Sequence, residues 1–264
     1  MTSDATLLPA VVEIMTEAGS RLLDAFSDQA RPSDLDSIWS ALAANDALTL
    51  RHTRAALLQL RPGSEWVEDE AGSGSLPSGE WWVADPAEGN INHVHGLGDW
   101  ATTVTLVRDN VPVLAVAHEP LRAITYTAVR GHGAYEGNQR LRVSAKTNLG
   151  AAIVATGQAM PGEGPQTYRR IGESVTAMLE HSFLVRAAVP ATLQLTHVAA
   201  GRFDAFWQYS AVRSGLLPGA LLVTESGGTV TDIQGRPWTL ASENFLATTP
   251  DLHDAAVRAL APIA

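Results

Sequence analysis

The residues most able to do chemistry are gathered between positions 68 and 95. Glu68, Asp69 and Glu70 form an acidic run, and Asp85 opens Asp-Pro-Ala-Glu-Gly. Asp85 follows the apolar stretch Trp81–Ala84, which reads as a strand; Pro86 is expected to stop its pairing and Gly89 to permit a tight turn. Carboxylates presented where a strand ends can share an oxygen-liganded cation such as Mg²⁺. An acidic surface turn, with an aspartate capping the next helix, fits the same spacing. His93 and His95 follow the turn glycine. Such a pair can ligate a metal or move protons near neutrality, and two loop histidines in ordinary hydrogen bonds are the competing reading. Trp66, Trp81 and Trp82 lie close by, as core or as the wall of a pocket. There is no phosphate loop of the G-x-x-x-x-G-K-[ST] kind, no H-E-x-x-H and no G-x-S-x-G elbow.

The elements that must position these residues change character along the chain. Asp4 can cap a helix beginning near Thr6, with Leu8, Val12, Met15, Gly19, Leu22 and Phe26 on one face. A second helical pattern runs from Asp46 to Leu60 and stops at Pro62. Gly72-Ser73-Gly74-Ser75 reads as a flexible loop, between short strands at Trp66-Val67 and Trp81–Ala84. Thr102–Val107 and Val111–His118 flank the turn signal Asp109-Asn110. Ile124–Val129 and Leu141–Ser144 continue an antiparallel meander across a Gly131-His132-Gly133 break. From Ile153–Thr156 onward, strands near Phe183–Arg186, Asp204–Trp207, Thr229–Asp232 and Phe245–Thr248 alternate with helices. Those helices fall near Thr167–Glu180, Pro190–Ala200, Leu217–Ser226 and Asp251–Leu260. The expectation is an α+β half over residues 1–150, carrying the acidic motif, and an α/β half over 151–264, packed as one unit.

Composition narrows the function classes. The chain has 264 residues, with Lys+Arg 18 against Asp+Glu 28, no cysteine, 17% charged and 45% hydrophobic residues. The absence of cysteine excludes a disulfide framework, a thiol nucleophile and a thiolate metal site. An acidic chain without a basic block argues against nucleic acid, whose phosphates call for clustered Lys and Arg. There is no run of 18 apolar residues to span a membrane and no signal-peptide pattern at Met1-Thr2-Ser3-Asp4, so the expected compartment is the cytoplasm. The net charge of −10 belongs to a solvated surface or to carboxylates gathered around a cation.

From Trp82 through Asp85-Pro86-Ala87-Glu88-Gly89-Asn90-Ile91-Asn92 to His93 the chain resembles the inositol monophosphatase family, whose motif reads W-x-x-D-P-[IL]-D-G-T-x-N-[FY]. Further matches follow in order. Asp46 is similar to the aspartate of the family's second helix and Glu68-Asp69 to its Glu-Glu pair. Gly131-His132-Gly133-Ala134-Tyr135 is similar to its G-x-G-A-[FY] turn, Val198–Asp204 to V-A-x-G-R-x-D, and Gly219–Gly228 to the late helix ending E-A-G-G. The resemblance implies an alternating α-β-α-β-α layered fold, often as a homodimer. It also implies Mg²⁺-dependent hydrolysis of phosphate monoesters of small polyols, in which carboxylate-held cations activate water.

Carried over residue by residue, Asp85 would bridge cations. Glu68, Glu88 and the carbonyl of Ala87 would ligate them, and Asp46 with Asn90 would orient water. His93 is a further acid–base candidate. Gly89, Asn90, Pro190 and Gln208 would contact substrate, and His95, from the histidine pair itself, is a further candidate there.

The departures fall on these same positions. Glu88 stands for the motif's second aspartate, one methylene longer, and Asn90 for its threonine. The family's W-D pair at the start of the late helix is Ser214-Gly215, and its G-[ST]-A-A turn is Val189-Pro190-Ala191-Thr192, where the proline has no N–H to donate. The expected activity is phosphate-monoester hydrolysis on a small polyol or sugar, weakened by these changes. One alternative is a repurposed, metal-independent enzyme of small-molecule biosynthesis using Asp, Glu and His acid–base chemistry. A non-catalytic dimer is the other.

Overall fold

The structure is a computed structural model that describes residues 3–69 and 71–263; Glu70 of the acidic run lies outside the described residues. Helix α1 spans Asp4–Ala25 with Ser3 at its N-cap, so Asp4 is the first helical residue and not the cap. Its carboxylate accepts from Arg108 at 2.6 and 3.0 Å. The buried face is Leu7, Val11, Met15, Ala18, Gly19 and Leu22. Leu8 and Val12, assigned to that face from the sequence, lie half-buried at its edge. Gly19 permits a close approach, since a Cβ there would stand 2.7 Å from Pro120 Cγ and 2.9 Å from His118 Cδ2.

Helix α2 spans Leu35–Leu60 and starts eleven residues before the expected point. Asp34 caps it, accepting from the Ser37 N–H at 2.8 Å while Ser37 Oγ accepts from the Asp34 N–H. Its buried residues are Asn45, Thr49, Thr53 and Leu57. Three of the four are polar, which hid the face from apolar periodicity.

Two sheets follow. Strands β1 (Glu65–Trp66), β2 (Glu80–Glu88), β3 (Ala101–Arg108), β4 (Val111–Glu119), β5 (Ile124–Val129), β6 (Gly133–Glu136) and β7 (Gln139–Arg140) pair in chain order. All are antiparallel except β1 with β2. Asp109 and Asn110 take φ of 48° and 65°, the left-handed pair a two-residue hairpin turn needs. The strand expected at Leu141–Ser144 is absent, and β6 and β7 complete the meander. There the chain donates instead from Leu141 N to Ala134 O and from Val143 N to Ser226 O.

Strand β2 also departs from the sequence reading. It does not end at Asp85: Asp85 faces Thr103 and Glu88 faces Ala101, with a register shift between them. Three steps on β2 match two on β3. Pro86 sits in this bulge, where an absent N–H costs the ladder nothing.

The second sheet has the order β11 (Thr229–Thr231), β12 (Phe245–Thr248), β10 (Ala205–Gln208), β8 (Ile153–Thr156), β9 (Leu184–Ala187). β8 runs parallel to β9 and β10, and β12 antiparallel to β10 and β11. The remaining helices are α3 (Asn90–Val94), α4 (Pro165–His181), α5 (Ala191–Ala199), α6 (Arg213–Glu225) and α7 (His253–Leu260).

Side-chain alternation stacks these elements into an α-β-α-β-α sandwich. On β4, Leu114 and Val116 pack against Val11 and Met15 of α1, whereas Ala115 and Ala117 face Leu216 and Ala220 of α6 and Leu195 of α5. Phe206 and Phe245 close that inner layer from the second sheet. Trp207 and Leu246 turn outward to Met178 of α4 and Leu260 of α7. The sequence motifs meet in space: Glu225 accepts from the N–H groups of Gly131 and Gly133, each at 2.8 Å. Buried Asp204 accepts from Ser144 Oγ, Lys146 Nζ and Ile153 N. No described helix is long and apolar enough to cross a membrane.

Candidate functional site

The acidic motif lies where β2 passes through Gly89 into the short helix α3, between α2 on one side and the starts of α5 and α6 on the other. Gly89 takes φ 77°, a conformation L side chains rarely adopt. A Cβ there would meet Asp99 O at 2.8 Å and Pro190 Cγ and Cδ at 3.0 Å. The proline ring therefore rests on the turn. Asn92 holds it there, donating from Nδ2 to Val189 O at 2.8 Å and to Asp99 O at 2.7 Å.

On the α2 side the structure brings Asp46 and Asn90 together. Asn90 Nδ2 donates to Asp46 Oδ1 and to Leu42 O, both at 3.1 Å, and Asn90 Oδ1 accepts from Asn45 Nδ2 at 2.7 Å. Asp46 is exposed as a residue, but its carboxyl is half-buried against α3. That burial raises its pKa above the ordinary aspartate value, with the Asn90 hydrogen bond opposing.

His93 is buried. Its Nε2 donates to Leu22 O at 2.9 Å, which leaves Nδ1 to accept from Asn45 Nδ2 at 2.9 Å. Burial lowers its pKa, and Phe26 and Trp100 pack edge-on to the ring. Both ring nitrogens are thus engaged in holding α1, α2 and α3 together. His95 lies on the surface side of α3, with Nδ1 at 2.7 Å from Ile91 O.

On the other side Glu88 is 4% exposed. Its Oε1 lies 3.7 Å from the point where a Cβ on Gly215 would stand, with Ala191 Cβ and Val212 Cγ1 also near that point. Thr192 joins the two helix starts by donating from Oγ1 to Gly215 O at 2.9 Å. Asp85 accepts at Oδ1 from the Ala87 N–H at 3.0 Å. Gln208, at the end of β10, donates to Ser210 O at 2.6 Å, and Ser210 Oγ donates to Glu163 at 2.8 Å.

The resemblance implies Glu68 as a cation ligand beside Asp85 and Glu88; in the structure it lies on the α2 side. Its side chain is largely exposed and pairs with Arg54 of α2 at 2.5 Å. Mg²⁺ requires oxygen donors in near-octahedral array at about 2.1 Å. Among the described residues no group of three or more His, Cys, Asp or Glu side chains stands close enough to hold an ion.

Sequence reasoning missed three residues that build this site. Asn45 adjoins Asp46, and its signal is a polar residue on the buried face of α2. Thr192 gave only its place in the altered turn. Arg213 donates to the carbonyls of Asp69, Ser73 and Gly74. It thereby pins the Gly-Ser segment that composition marks as a flexible loop.

The two sheets and the helix layers around them make a layered α+β sandwich, with an acidic strand-to-helix turn on its inner edge. Residues 4–263 match the inositol monophosphatase family, and the chain belongs to it. It is 31% identical to an inositol-1-monophosphatase of Rhizobium meliloti (strain 1021) over 233 residues, 88% of this chain and 87% of that protein. It is 33% identical over 184 residues to the Nus factor SuhB of Pseudomonas aeruginosa, 69% of this chain and 68% of that protein. The inositol monophosphatase of Anabaena (Nostoc) sp. PCC 7120 shares the fold with a TM-score of 0.83 at 23% identity, over 98% of this chain and 96% of that one. The family is one of phosphatases, generally Mg²⁺-dependent.

Proposed function

We propose that the chain hydrolyses a phosphate monoester of a small polyol or sugar, with Asp46 and Asn90 as its working residues at the contact of α2 with α3. The observation that carries this reading is the 3.1 Å hydrogen bond from Asn90 to Asp46 across the α2–α3 contact. Asn90 fixes the orientation of the carboxylate. Asp46 is reached by water, and its raised pKa makes it a stronger base than an ordinary aspartate for taking a proton from that water. Asn45 and His93 position Asn90 from behind. Asp85 and Glu88 supply the acidic wall, and Gln208 and Pro190 bound the substrate side.

A second reading is favoured by one observation. Glu68 is committed to Arg54, and no three-acid cluster forms among the described residues. An anionic phosphate would meet Asp85 and Glu88 without such a cluster to organise a neutralising cation. An uncharged or cationic small molecule, handled by acid–base chemistry on Asp46 and Glu88, suits that wall better.

The experiment is phosphate release from a panel of inositol, sugar and nucleotide monophosphates, with Mg²⁺ and with EDTA, for the natural chain and Asp46→Asn. Mg²⁺-stimulated release lost in Asp46→Asn supports the hydrolase. No release from any monophosphate removes it in favour of the second reading.

A further inference from the structure

The buried residues of α2, Asn45, Thr49, Thr53 and Leu57, recur at steps of four along one face. Toward the N-terminus, steps of three and four carry that face on through Leu42, Trp39, Ile38 and Leu35. Asp36, Ser37, Ser40 and Ala44 occupy the other side of the same turns. The first half of α2 is thus amphipathic, yet its apolar side is open: Leu35 is 70% and Trp39 59% exposed, with Ile38 and Leu42 half-buried. A contiguous apolar face left open in this way marks a binding surface, where a single exposed leucine does not. Its inner end is the contact of α2 with α3. Leu42 O accepts from Asn90 Nδ2, and Asp46, one helical turn further on, accepts from the same nitrogen. Ile91, next to Asn90 on α3, adds exposed apolar surface there. Trp39 precedes Asp46 by seven residues, about 10 Å along the helix.

We propose that the substrate held at Asp46 and Asn90 carries an apolar group beside its polar end, and that Leu35, Ile38, Trp39 and Leu42 receive that group. The proposal rests on the reading of Asp46 and Asn90 as the working residues. Continuity of the face with their contact selects the occupant. One molecule reaches both, with its polar end at Asp46 and an alkyl or aromatic part laid along the first turns of α2. A bare polyol would end at Asp46 and leave Leu35 and Trp39 in water. Each methylene laid on the face leaves water, and the gain grows with the area covered. Residues 35 and 39 therefore set a preference for longer apolar groups and leave the polar end untouched.

The test is calorimetric titration of the whole chain, at fixed Mg²⁺, with ethyl-, butyl- and octylphosphonate below their micellar concentrations. Their P–C bond is not hydrolysed, so binding is read apart from turnover. Affinity should rise with chain length, by roughly 30-fold or more from ethyl to octyl. Leu35→Ser combined with Trp39→Ser, both at exposed positions, should bind ethylphosphonate as the natural chain does and lose most of the octyl advantage. Trp39→Ser alone should lose part of it. Excess glycerol phosphate should displace octylphosphonate, because the polar ends share one site. Equal affinity across the series, or no binding of octylphosphonate, overturns the proposal. So does an octyl advantage that survives the double variant or resists glycerol phosphate. A natural chain that sediments as a dimer, made monomeric by the double variant, gives the face to a second copy and overturns it too. Failure of the hydrolase reading shows separately, as no phosphate release from octyl phosphate or any other monophosphate while the binding pattern holds.

Discussion

The Asn45 amide donates to Asn90 Oδ1 at 2.7 Å from a position 5% exposed on α2. The same nitrogen reaches His93, so one side chain fixes both the residue that orients Asp46 and the histidine that ties α3 to α1. Asn45→Ala leaves buried His93 and half-buried Asn90 short of a partner. The expected loss is about 1–3 kcal/mol of unfolding free energy, read by urea denaturation. Turnover should fall with little change in KM, because Asp46 keeps its place but loses its orientation through Asn90.

Gly89 carries the strand-to-helix turn with Pro190 resting on it. Gly89→Ala combines an unfavourable positive φ with contacts of 2.8 Å to Asp99 O and 3.0 Å to Pro190. A destabilisation of about 1–3 kcal/mol is expected. Glycines in the same backbone region with open surroundings, such as Gly131, should cost less when changed to alanine. Thermal melts of the two variants make the comparison.

Much of the fold was legible in the sequence where apolar periodicity and turn chemistry agreed. Ile124–Val129, Ile153–Thr156 and Phe245–Thr248 are strands over those same residues, and Asp109-Asn110 makes the expected turn. The first three turns of α2 were hidden because Leu35 and Trp39 are apolar yet exposed while Asn45, Thr49 and Thr53 are polar yet buried. The bulge at Pro86 was hidden because proline reads as a strand end until the partner strand is known. At the site, Asn90 donates a hydrogen bond to Asp46, a contact between residues 44 apart in the chain. The turn of Glu68 toward Arg54 could not be read, since it depends on the facing side chain of α2. The approach of Glu88 to Gly215 joins residues far apart in the chain.

His197 shows how buried titratable groups set the acid limit of stability. Burial, aided by the charges of Arg202, Arg122 and Arg186, lowers its pKa to about 4 from 6.5. Its Nδ1 has no hydrogen-bond partner. The unfolded chain therefore binds a proton there before the folded chain does. This contribution is complete above pH 6.5 and is lost as the pH falls toward about 4. Between pH 6.5 and about pH 5 the natural chain should lose about 2 kcal/mol from this group. His197→Asn should flatten that part of the profile, as read by denaturation at each pH. His93 and His118, also lowered by burial, act in the same direction. Asp46 and Glu119, raised by burial, act against it.

Glu80 accepts from Arg61 and Arg108, each through two nitrogens at 2.6–2.8 Å. The Arg61 hydrogen bonds, foremost, hold its pKa at about 2. The stabilisation is present above the unfolded value of 4.5 and is lost as pH falls toward about 2. Glu80→Gln should cost about 2–4 kcal/mol at neutral pH, because it deprives the buried Arg61 of its counter-charge at the edge of the first sheet. The difference between Glu80→Gln and the natural chain should narrow below pH 4.5.

The most direct test of the account is the initial rate of phosphate release from inositol and sugar monophosphates, compared between the natural chain and Asp46→Asn at equal Mg²⁺. The account expects measurable release by the natural chain and a fall of roughly 100-fold or more in kcat for Asp46→Asn. Equal rates in the two proteins, or no release by either, would contradict it.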